Sequence, residues 1–196
     1  MRPPRDKRET DYQGGLRSAV RGLWSGEISW LDSIDWMTRE IERSYTRAWE
    51  DGLLSCGIRL DEMTPEEQAR LSLEINMEIQ YVYSFANQIL IASRSRGGKL
   101  KPLYDRLDMW VNRYNSIRDM ARSYACQDEK LKWVMGATKE HCTSCRRLDG
   151  RVYRASAWRS ADLYPRKHSL ECGGWRCACE FVPTSEPATP GFPPRI

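Results

Sequence analysis

Residues 141–153 read His-Cys-Thr-Ser-Cys-Arg-Arg-Leu-Asp-Gly-Arg-Val-Tyr, and residues 177–183 read Cys-Ala-Cys-Glu-Phe-Val-Pro. The spacing of Cys142 and Cys145 is that of a knuckle that offers two sulfurs to one ion from a tight turn. Cys177 and Cys179 fall on one face of a strand, because side chains there repeat every second residue. A strand from Leu131 to Met135, a partner at Arg151-Val152-Tyr153 across the Asp149-Gly150 turn, and a returning strand from Cys179 to Val182 would bring the two pairs together. Four soft ligands suit a tetrahedral zinc ion, and Cys142, Cys145, Cys177 and Cys179 are the first choice. Cys172 and His168 lie between the pairs, and either can displace one of Cys177 and Cys179, so six candidates compete for four places. His141 reads as a surface residue. Buried or free thiols, or a disulfide formed late, is the competing reading of the cluster. Cys56 and Cys126 are isolated in the sequence and read as small core residues.

Working outward, the segment in front of this module is helical. Leu16, Val20 and Leu23 mark a short helix that stops near Gly26. Ser29, with Asp32 three residues on, is an N-cap signature, and Ile34, Met37, Ile41, Tyr45, Ala48 and Gly52 then recur at steps of three and four. Thr64-Pro65-Glu66-Glu67 starts the next helix: Thr64 caps, Pro65 needs no N–H at the first position, and the acids suit the positive end of the dipole. Its buried face runs from Leu71 to about residue 93. Leu107, Trp110, Tyr114, Ile117, Ala121 and Tyr124 carry a third long stripe, with Arg106, Arg113, Arg118 and Arg122 largely off it as a basic face. A short helix is expected between Ala155 and Leu163.

The expected fold class is α+β, with three long helices in the N-terminal region and a small cysteine-rich, zinc-stapled β-hairpin module behind them. The boundaries follow composition: a flexible basic arm over 1–15, a helical docking region over 16–126, the module over 127–184 and a proline-rich extended tail over 185–196. A net charge of +4 is too small to mark a nucleic-acid binder by itself, but eight basic residues against three acids between Arg94 and Arg122 make an uneven field. No run of about 18 apolar residues and no signal-peptide layout occurs, so a soluble protein made in a reducing cytosol is expected, where clustered cysteines point to metal before disulfides. The chain has two histidines, too few for a histidine-based nuclease, and it carries no phosphate-cradling glycine loop, nucleophile elbow or zinc-protease helix. Catalysis is not expected.

Trp133 through Pro183 resembles the C-terminal module of the phage Mu F-like head morphogenesis family, the minor capsid proteins of tailed bacteriophages. The likeness is carried by the tryptophan-bearing strand, Cys142-Thr-Ser-Cys145, Leu148-Asp149-Gly150, a proline before His168, and Cys177-Ala-Cys179-Glu-Phe-Val-Pro183. The helix bearing Ile117-Arg118-Asp119-Met120-Ala121-Arg122-Ser123 is similar to the one that leads into that module. The resemblance implies a virion protein at the portal vertex or capsid interior, present in host cytoplasm during assembly. It also implies portal and major capsid proteins as partners, and a role in head assembly, DNA packaging or ejection. It carries metal binding over to Cys142, Cys145, His168, Cys177 and Cys179. Contact with packaged DNA or an acidic partner would fall to Arg106, Arg113, Arg118, Arg122, Arg146 and Arg147. Unlike the family pattern, Ser169 to Arg176 separates His168 from the Cys-x-Cys pair and adds Cys172. A nucleic-acid-binding zinc module is the alternative, and a metal-dependent nuclease or toxin-like effector a weaker one.

Overall fold

The computed structural model describes residues 7–138, 140–175 and 177–196. Four long helices come first: α1 (Lys7–Ser25), α2 (Trp30–Leu54), α3 (Pro65–Ile91) and α4 (Leu100–Ala125). Behind them lie β1 (Lys130–Val134), α5 (Thr143–Leu148), β2 (Val152–Arg154), α6 (Ala155–Ser160) and β3 (Glu180–Pro183). The fold is α+β, mostly helical with one small sheet. Among the described residues no helix is long and apolar enough to cross a membrane.

The helix starts follow from local chemistry. Ser29 Oγ accepts the Asp32 N–H at 3.1 Å, and Thr64 Oγ1 accepts that of Glu67 at 3.3 Å while the Glu67 carboxylate takes the Thr64 N–H at 2.7 Å. Both are reciprocal caps that satisfy donors a helix start leaves free. The stripes then bury as the periodicity requires. Met37, Ile41, Ala48 and Trp49 of α2 and Leu107, Val111, Met120 and Ala121 of α4 are fully inaccessible, with Val82, Phe85 and Ile89 of α3 and Leu16 and Val20 of α1 closing the same core.

Two expectations are corrected at the ends of the chain. The arm over 1–15 is not a flexible segment from residue 7 onward, because α1 begins at Lys7, and the bundle has four long helices where three were expected. Residues 1–6 lie outside the described residues. Polar composition hid this helix: Tyr12 is buried, Asn115 donates to the buried Glu9 carboxylate, Arg8 pairs with Asp51, and Gln13 donates to Asp108 at 3.1 Å. The tail over 185–196 is extended but laid against the sheet. The Thr189 N–H donates to the Val152 carbonyl at 2.8 Å, Val152 donates back to Thr189 Oγ1 at 2.9 Å, and Lys132 pairs with Glu186 at 2.8 Å.

The sheet has the order β2-β1-β3 and is antiparallel throughout, with Leu131 opposite Tyr153 and Trp133 opposite Phe181. Alternation along β1 turns Leu131 and Trp133 inward. There Trp133, Tyr153, Trp158 and Phe181 form an aromatic cluster with centroids 4.9 to 5.8 Å apart, and the Trp158 indole donates to the Leu131 carbonyl at 3.0 Å. These residues belong to the same continuous core as the helices. The composition change near residue 126 therefore marks a change of architecture within one packed core.

Cys56 and Cys126 also differ from expectation. The ends of α2 and α4 bring them together as a disulfide with Cα atoms 5.8 Å apart, a normal separation for that bond. Seventy residues of sequence separate them, so no local spacing announces the pair.

Candidate metal centre

Three segments build the site. Cys142 is the N-cap of α5, its Sγ accepting the Cys145 N–H at 3.4 Å, and Cys145 lies one turn in and is buried. The loop after α6 delivers Cys172. Glu171 ties that loop to α5, since its carboxylate accepts the Thr143 N–H at 2.6 Å and its own N–H donates to Ser144 Oγ at 3.3 Å. Gly174 turns the chain back at φ +76°, where its missing Cβ clears the Arg166 carbonyl, and Asn112 of α4 donates to its carbonyl at 3.2 Å. Cys177 and Cys179 arrive on the approach to β3, passing so near the exit of β1 that a Cβ on Gly136 would sit 2.0 Å from the Ala178 carbonyl oxygen.

The result is two groups of sulfurs, Cys142 with Cys145 and Cys172, and Cys145 with Cys177 and Cys179, the ligand atoms of each group lying within 4.8 Å of one another. Five of the six candidate ligands are thus brought together. His168 is the exception: it is exposed and lies outside both groups. Cys172 lies in the group with Cys142 and Cys145. All five cysteines line an open cleft of about 760 Å³, joined by Asp108, Glu140, His141, Glu171 and Trp175. His141 is half-buried in the cleft wall rather than on the open surface, its ring within 3.2 Å of Thr138 Oγ1.

Proton chemistry is crowded here. The S–H groups of Cys145, Cys172 and Cys179 converge on Cys177 and draw its thiol far below the ordinary value. At Cys142 burial opposes ionisation, but the Cys145 N–H and the thiols of Cys145 and Cys172 outweigh it and hold the group low. Cys145, hydrogen-bonded to Cys172, Cys177 and Cys179, is driven far up. At Cys172 and Cys179 the Cys145 contact pulls down, but Cys177 and burial prevail and push them up to about 12 and about 11. Five sulfurs in two groups, each gathered within 4.8 Å, suit a soft cation, which would hold them as thiolates. The donor set therefore fits a metal ion.

Comparison with protein-family models, with curated proteins and with solved structures finds no match for the chain. The likeness to the head morphogenesis module rests on its motif residues alone.

The basic face of α4 is not free. Arg113 pairs with the buried Glu78, Arg122 holds both oxygens of Glu129 at 2.7 and 2.6 Å, and Arg106 donates to Gln88 while lying 5.3 Å over the Phe85 ring. Arg118 is half-buried beside Asp119. None of these four arginines is exposed: the Arg113 side chain is 12% accessible, and acids on α3 and in the loop before β1 take up Arg113 and Arg122. Of the six arginines expected to meet a partner, Arg146 and Arg147 are exposed. They sit in the last turn of α5, where positive charge suits the helix dipole.

Proposed function

We propose that the chain is a structural minor capsid protein of a tailed bacteriophage, in which a zinc-stapled module is held rigidly on a four-helix platform that docks on portal and capsid proteins. The convergence of five thiols from three segments, on a module that shares one core with the helices, carries this reading. Zinc supplies fixed tetrahedral cross-links when bound; Cys142, Cys145, Cys172, Cys177 and Cys179 are the residues that would hold it. The chain's own part is to set the stiffness of the contact surface around it. The role in this reading is structural: the site is built from thiols, the donor set of structural zinc sites.

Two measurements test this. Metal analysis of reductively purified protein should find stoichiometric zinc, lost in Cys145→Ser; a metal-free wild type would overturn the staple. Antibody labelling of purified phage particles should mark a single vertex, and absence from particles would overturn the capsid assignment. The nucleic-acid reading draws on Arg146 and Arg147. Two phosphate contacts give a salt slope of only about −2, so a steeper slope on duplex DNA would favour that reading over ours.

A further inference from the structure

The sulfurs gather as two triads that share Cys145, Cys142 with Cys172 on one side and Cys177 with Cys179 on the other. We infer that the cleft holds two soft divalent metal ions bridged by the Cys145 thiolate, one seated on Cys142 and Cys172 and the other on Cys177 and Cys179. This rests on the metal-staple reading above and specifies its nuclearity.

Tetrahedral coordination at a metal–sulfur distance of about 2.3 Å separates the sulfurs by about 3.8 Å. Each triad already lies within 4.8 Å, so each closes on its own ion with small side-chain adjustments. Cys145 suits the bridge: it is common to both groups, it is 1% exposed, and the first turn of α5 fixes its direction. Three sulfurs leave one position open on each ion. The wall of the cleft carries His141 and Glu171 beside the cysteines.

Charge and saturation point the same way. A single ion with four thiolates carries two negative charges and leaves a fifth thiol unused, although Cys145, Cys177 and Cys179 are all buried. Asp108, Glu140 and Glu171 line the same cleft, so extra negative charge there is unfavourable. Two ions with five thiolates carry one negative charge and use every sulfur. Binding displaces the protons that the thiols still carry, which go to solvent, and changes no oxidation state.

The test is titration of the full-length, reduced chain with Cd²⁺, read by metal count after gel filtration, by sulfur-to-cadmium charge-transfer absorption and by ¹¹³Cd NMR. Two ions per chain are expected, with two resonances coupled through the shared sulfur. Cys142→Ser and Cys179→Ser should each retain one ion and lose the coupling, and Cys145→Ser, which removes the bridge, should lose both. A Cys56→Ser/Cys126→Ser variant should still take two ions; a fall to one would assign the second ion to that pair and overturn the inference. Saturation of the wild type at one ion would also overturn it while leaving the structural staple intact, whereas no binding at all would overturn both.

Discussion

Gly136→Ala tests how closely the exit of β1 must pass the Cys177–Cys179 segment. The added Cβ would lie 2.0 Å from the Ala178 carbonyl oxygen and 2.7 Å from its carbonyl carbon and Cβ. Ordinary carbon–oxygen contacts are about 3.3 Å or longer, so one of two backbones must retreat by about 1 Å. Overpacking of this kind costs about 1–3 kcal/mol. Against it, replacing glycine restricts the unfolded chain and returns about 0.4–1 kcal/mol. The steric effect prevails, for a net loss of about 1–2 kcal/mol and a fall in Tm of about 2–8 °C for a chain of this size. Ala178 lies between the two cysteines, so the same retreat carries their sulfurs away from Cys145. Metal coordination tolerates only about 0.2 Å, and a loss of about 1.4 kcal/mol there is a tenfold weaker Kd. Calorimetry and zinc competition against a chromophoric chelator read the two effects separately. Gly14→Ala is the control: it sits exposed on α1 with nothing within 4 Å of its Cβ and should gain up to about 1 kcal/mol from helix propensity. A Gly136→Ala protein with unchanged Tm and unchanged zinc affinity would refute the close pass.

Burial pushes the Asp119 carboxyl up to about 6 against the pull of Arg118, Arg166 and Arg122. A raised acid pKa favours the protonated form in the folded state, so this contribution to stability falls as pH rises from about 4 through 6, by about 3 kcal/mol in total. Asp119→Asn should therefore gain on the wild type over that window in urea denaturation, and a constant difference would contradict the assignment. Arg113→Ala strands the Glu78 carboxylate, whose side chain is 4% exposed, and should cost about 3–5 kcal/mol; a Glu78→Leu/Arg113→Leu pair should lose markedly less in the same melts. The Cys56–Cys126 bond closes a 70-residue separation, worth about 4 kcal/mol by loop closure. Reductant should lower the Tm of metal-free protein by about 8–16 °C and leave a Cys56→Ser/Cys126→Ser variant unaffected.

What the sequence discloses depends on whether the cause of a structure is local. Ser29 and Thr64 announced their helices because a cap acts over three residues, and the stripe from Leu107 to Tyr124 announced a buried face because periodicity needs only the helix itself. The Cys142/Cys145 pair is legible for the same reason, being set by the start of α5, whereas Cys177 and Cys179, expected on one strand face, precede β3 (Glu180–Pro183). Other features were not legible, and each depends on partners far along the chain, as the Cys56–Cys126 pair does. The first turns of α1 look like a polar arm until Asn115 and Asp51 are placed opposite Glu9 and Arg8. The basic stripe of α4 looks solvated until Glu78 and Glu129 reach it. The sequence admits Cys172 and His168 alike as ligands, and only the fold separates them. The Gly173-Gly174 turn and the Glu171 clasp on α5 bring position 172 back to the knuckle and leave position 168 outside. Spacing selects the chemistry that a cysteine-rich segment can perform, while the loop that returns to it decides which side chains take part.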